Sequence, residues 1–142
     1  MPLRQQPEQV LQRAVVAHLC WRARPGVFAF HVPNGGWRSR VEGAILKAIG
    51  TVAGVPDILC IFQGRVYALE LKTPKGRLTD VQRVVHERLR EAGAVVAVAH
   101  GIDQALAQLT EWKLLRVSPF GAGRDANPSE ARRKAKEKSK WT

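Results

Sequence analysis

The sequence predicts an α/β fold, a mixed β-sheet flanked by helices, on three observations. Segments of helical periodicity alternate with short apolar runs, in the order helix, strand, helix, hairpin, helix, strand, helix. Within Gly54–Thr73, two runs rich in β-branched and aromatic residues flank Gln63-Gly64, a two-residue hairpin signal. A third run, Ala94 to Ala99, is continuously apolar and bounded by glycines, which predicts a strand buried on both faces in the middle of the sheet.

The elements follow in order. Pro7 suits a first helical position, and Val10, Leu11, Ala14, Val15 and Leu19 continue at helical spacing to about Trp21. Arg24-Pro25-Gly26 ends that helix, and Val27–Val32 is a short strand. The loop Pro33-Asn34-Gly35-Gly36-Trp37-Arg38-Ser39-Arg40 comes next; its glycines let backbone N–H groups approach a phosphate, and Arg38, Ser39 and Arg40 add donors. An ordinary turn with solvated arginines is the alternative. Val41, Ala44, Ile45, Ala48 and Ile49 mark a second helix ended by Gly50. After the hairpin, Lys75-Gly76-Arg77 is a basic loop, and Thr79 with Gln82 forms a capping box opening a helix to about Ala92. Its apolar stripe is read as Val81, Val84, Val85 and Leu89, with His86 and the arginines on the exposed side. Ile102 to Trp112 is the last helix.

The chain has 142 residues and a formal net charge of +11, with a pI near 10.7. That size is one domain, and that charge points to a polyanion, nucleic acid first and an acidic membrane surface second. Positions 1–123 hold 16 basic and 9 acidic residues, so +7 resides there and the other +4 in the remainder. The domain is placed at 1–117. Residues 118–142, rich in Pro, Gly and basic residues, read as a disordered or partly helical tail that either attracts the nucleic-acid backbone or simply solubilises. Cys20 and Cys60 stand in no metal-ligand spacing and read as reduced core residues. No charged-then-apolar leader and no run of eighteen apolar residues occurs, so a cytoplasmic protein without a membrane span is expected. Neither a base-reading helix nor a zinc module is visible.

The hairpin concentrates the chemistry. If Phe62 faces Arg65, counting outward pairs Ile61 with Val66, Cys60 with Tyr67, Leu59 with Ala68, Ile58 with Leu69, and Asp57 with Glu70. Opposed residues share a face with Cβ atoms about 5 Å apart, and Lys72 points to the same face as Glu70. Two carboxylates so close cannot both ionise cheaply. Mg²⁺ or Mn²⁺, which takes hard oxygen ligands and is held by one or two carboxylates plus substrate phosphate, removes the conflict. The plain alternative is a cross-strand ion pair on a solvated face.

At these residues the chain resembles the virus-type replication-repair nuclease (VRR-Nuc) branch of the PD-(D/E)xK nuclease superfamily. The resemblance is carried by Gly54-Val55-Pro56-Asp57, Glu70-Leu71-Lys72-Thr73, Gln82 and the upstream Pro33-Asn34-Gly35-Gly36, and covers roughly Glu8 to Trp112. It implies a restriction-endonuclease-like fold and Mg or Mn as cofactor, held by Asp57, Glu70 and the Leu71 backbone carbonyl, with Lys72 catalytic and Gln82 near the centre. Glu8 matches the family's acidic first-helix position; it either joins the metal site or complements the helix dipole. Small standalone members resemble dimeric junction resolvases, so a homodimer acting on DNA, with four-way junctions favoured, is implied. Asn34, Gly35, Gly36, Arg38, Ser39, Arg40, Lys75 and Arg77 are the expected nucleic-acid contacts. Rival readings are another PD-(D/E)xK enzyme acting on duplex or single-stranded DNA, and a non-catalytic basic nucleic-acid-binding module.

Overall fold

A computed structural model describes residues 7–33 and 39–116. The elements are α1 (Pro7–Arg22), β1 (Phe28–His31), α2 (Arg40–Ala48), β2 (Ile58–Phe62), β3 (Arg65–Lys72), α3 (Asp80–Glu91), β4 (Val95–His100) and α4 (Ile102–Glu111), in the predicted order. Asn34 to Arg38 and the basic tail lie outside the described residues, so the loop and domain-limit expectations are not addressed there.

Strand order is β1-β2-β3-β4; β2 pairs antiparallel with β1 and β3, and β4 runs parallel to β3. A parallel neighbour requires a crossover, and α3 supplies it. The hairpin pairs Phe62 with Arg65 and continues to Ile58 with Leu69, the register counted from the sequence. Gln63 and Gly64 both adopt positive φ, 50° and 73°, as a type I′ turn demands.

Alternation along the strands separates the two sheet faces. One face sends Ile58, Cys60, Phe62, Leu69, Leu71 and Ala99 into the core, against Val15 and Leu19 of α1 and Ala105 and Leu109 of α4. Leu114 and Leu115 complete that core, and backbone hydrogen bonds from Arg24 to Leu114 and from Arg116 to Arg22 tie the segment after α4 to the end of α1. The other face carries Leu59, Ile61, Ala68, Glu70 and Lys72.

Four expectations are corrected. β4 lies at the sheet edge rather than in its middle, and most of it is half-buried. A continuous apolar run reports cover on the faces and says nothing of which strand edge is paired. In α3, Val81 and Val84 are exposed while His86 is buried beside Val85, so the inward stripe is Gln82, Val85, His86 and Leu89. Val85 and Leu89 belong to both stripes, but Gln82 and His86 turn inward in place of Val81 and Val84. In α2 none of Val41, Ala44, Ile45, Ala48 and Ile49 is covered; only Leu46 is half-buried. Amphipathic spacing says that a face needs cover, not that the same chain provides it. Cys60 is buried as expected, but Cys20 is exposed.

Candidate active site

The segment delivering Asp57 is pinned at both ends. Gly54 has φ 83°, and a Cβ there would meet the Val81 backbone at 3.1 Å, so only glycine lets this turn lie against the start of α3. Pro56 is fully buried. The Asp57 carbonyl then accepts the Val32 N–H at 2.9 Å and contacts His31 Nδ1 at 2.8 Å. A carbonyl oxygen can only accept, so Nδ1 is the protonated nitrogen of His31. Asp57 Oδ2 accepts the Leu71 N–H at 2.8 Å, which places Asp57 across from β3 one step beyond the last ladder pair.

Glu70 and Lys72 come from the end of β3 and are 2% and 8% exposed. Lys72 Nζ lies 3.1 Å from Glu70 Oε1, and the same oxygen accepts from Gln82 Nε2 at 2.7 Å. The pair is buried, unlike the solvated ion pair considered above. Gln82 serves two ends: its Oε1 accepts the Thr79 N–H at 3.0 Å in the capping box of α3 while its Nε2 holds Glu70. Lys72 C=O accepts from Gly101 on the β4 side, so alternation turns the Leu71 N–H and C=O toward Asp57, past the start of β2. The turn after β3, closed by Gly76 N–H to Thr73 C=O, lies on the Lys72 stem; a Cβ at Gly76 would sit 3.3 Å from Lys72 Cβ and Cδ.

Burial is the first cause of the titration behaviour. It pushes the Glu70 carboxyl up to about 7, with Asp57 and Glu8 pushing the same way and Lys72 opposing. It also raises Asp57, against the Leu71 hydrogen bond, Lys72 and His31, with Glu8 again raising. Two acids held above their ordinary range chiefly by burial form an all-oxygen donor pair. With the Leu71 carbonyl on the same side, these residues fit a hard divalent cation that keeps several waters. Among the described residues no group of three His, Cys, Asp or Glu side chains is placed to hold a metal ion. Glu8 is exposed at the start of α1, and its charge adds to the upward push on both acids.

Ser39 accepts the Glu42 N–H as the N-cap of α2, so its hydroxyl is engaged in capping. Arg40, Lys75 and Arg77 are exposed, the last two in the loop that follows Lys72. Asn34, Gly35, Gly36 and Arg38 lie outside the described residues; the strand before them ends beside Asp57.

His86 was given no role by the sequence pattern, yet it is 1% exposed, with Nε2 3.6 Å from Glu70 Oε2. Its position four residues after Gln82 was the available signal, because Gln82 must face the hairpin. Burial, then Arg90 and Lys72, lower its pKa, with Glu87 opposing, which favours the uncharged imidazole.

No protein-family model matches the chain, and no curated protein matches it. Among solved structures, one described as "VRR_NUC domain protein" is 23% identical, covers 79% of this chain and 93% of its own, and superposes with a TM-score of 0.64. Another, described as "VRR_NUC domain", is 22% identical over 75% of this chain and 97% of its own, with a TM-score of 0.52. What this likeness establishes is architecture: the chain has the fold of the VRR_NUC domain, a mixed sheet flanked by helices of the restriction-endonuclease-like kind.

Proposed function

We propose that the chain is a metal-dependent DNA endonuclease of the PD-(D/E)xK type that recognises branched structure, with four-way junctions its favoured substrate. The observation that carries this reading is the constellation of half-buried Asp57 with buried Glu70 and Lys72 at the open end of the hairpin, held by Leu71 and Gln82. Asp57, Glu70 and the Leu71 carbonyl would hold Mg²⁺ or Mn²⁺. When bound, such an ion supplies Lewis acidity toward a phosphodiester oxygen and a water. Gln82 fixes the Glu70 carboxylate, and Lys72, supported by the Gly76 turn, orients the attacking water and steadies charge on the phosphorane. Lys75, Arg77 and Arg40 contact backbone phosphates, which positions the duplex without reading bases. The excess of positive charge gives this contact a steep salt dependence.

Incubation with Mg²⁺ or Mn²⁺ and labelled junction, flap, duplex and single-stranded DNAs, beside Asp57→Ala, tests the reading. Junction cleavage abolished by the substitution, with binding retained, is expected. Cutting of duplex or single strands alone moves the activity to another PD-(D/E)xK class. Binding without metal-dependent cutting leaves a non-catalytic module.

We also propose a homodimer. Among the described residues nothing covers the sheet face of Phe28, Phe30 and Ile61 or the helix face of Val41, Ile45 and Ile49, so each copy offers both surfaces to the other. A stable interface needs about 800 Å² per partner, and six half-exposed large apolar side chains go most of the way to that area. Sedimentation equilibrium giving a species of 15.7 kDa would exclude the dimer.

A further inference from the structure

Three buried polar atoms without hydrogen-bond partners among the described residues meet at one place: Glu70 Oε2, His86 Nδ1 and His86 Nε2. Such orphans are few in native structures, and each calls for a physical reason. Glu70 is asymmetric. Its Oε1 is reached by both Gln82 and Lys72, whereas Oε2 faces His86 Nε2 at 3.6 Å. His86 occupies the inward stripe of α3 between Val85 and Leu89, where an aliphatic side chain would fill the space without burying two ring nitrogens.

We propose that His86 is a positioning residue for Glu70: its Nε2–H closes on Oε2 and fixes the carboxylate plane, so that Oε1 is the oxygen turned toward Lys72 and Gln82. The proposal rests on the reading of Glu70 as a cation ligand. Partners of this kind, behind a liganding group, set its orientation, and losing one costs about 10-fold or more in metal affinity. His86 does not touch the reacting phosphate.

The test uses the full chain and Mn²⁺ alone, titrated calorimetrically, on His86→Phe and His86→Gln. Phenylalanine keeps a ring and removes the donor; glutamine carries an N–H donor to about the same place. The expected result is a folded His86→Phe chain binding Mn²⁺ about 10-fold more weakly or worse, with His86→Gln close to the unsubstituted chain. Unchanged affinity in folded His86→Phe overturns the proposal, as does an equal loss in folded His86→Gln. A second measurement needs neither variant nor metal. A long-range ¹H–¹⁵N spectrum of the unsubstituted chain reports the His86 tautomer, and protonation at Nε2 with a bare Nδ1 is expected. The opposite tautomer overturns the contact even if the variants do not fold. Should the unsubstituted chain itself fail to bind Mn²⁺, the cation reading of the acids falls, and the tautomer still decides whether His86 holds Glu70.

Discussion

Lys72→Met is expected to lower the single-turnover rate of junction cleavage by about 10²–10³-fold, the range for deleting one donor to developing negative charge. DNA affinity should stay close to that of the unsubstituted chain. Methionine retains most of the aliphatic stem on which the Gly76 turn packs, so the loop carrying Lys75 and Arg77 keeps its support. Removing one partner of a buried ion pair ordinarily costs about 3–5 kcal/mol, because a charge is left unpaired. Here the loss is smaller, since Glu70 already titrates near 7 and takes up a proton once the ammonium is gone. A folded Lys72→Met chain cutting at the original rate would remove Lys72 from the chemistry. Loss of binding together with cutting would make it a phosphate contact instead.

Glu70→Gln should abolish cleavage and, above neutral pH and without metal, make the chain more stable. The Glu70 carboxyl stands at about 7 in the folded chain against an ordinary 4.5. Folding therefore favours its protonated form. That contribution is complete below pH 4.5, fades as the pH rises toward 7, and is gone above it. The span corresponds to on the order of 3 kcal/mol. The advantage of Glu70→Gln, measured by denaturant unfolding at a series of pH values, should grow across that window and level off beyond pH 7. Saturating Mn²⁺ should narrow the gap by binding only the unsubstituted folded chain. Parallel stability curves for the two chains would show that Glu70 is an ordinary, solvated carboxylate.

These two expectations rest on different layers of information. The hairpin register was legible in the sequence because Gln63-Gly64 admits the tight turn, and strand periodicity then leaves no freedom in what faces what. Asp57, Glu70 and Lys72 could be gathered by counting alone. The capping box was equally legible, since Thr79 and Gln82 are three residues apart and need no tertiary partner. Local chemistry of this kind is written in neighbouring residues.

What the chain order could not show was cover. The valine-rich pattern of α3 was compatible with two helix rotations, and the tertiary structure selected the one that turns Gln82 and His86 toward Glu70. Apolar residues in β4 and α2 likewise announced surfaces without saying what lies on them, and β4 proved to be an edge while α2 is left open. Element order, hairpin pairing and the three residues meeting at the hairpin's end follow from local chemistry, because a tight turn and strand alternation leave no other arrangement. The burial of Glu70 and Lys72, and with it the raised Glu70 carboxyl and the imidazole behind it, comes from three-dimensional packing, because desolvation depends on segments distant in the chain.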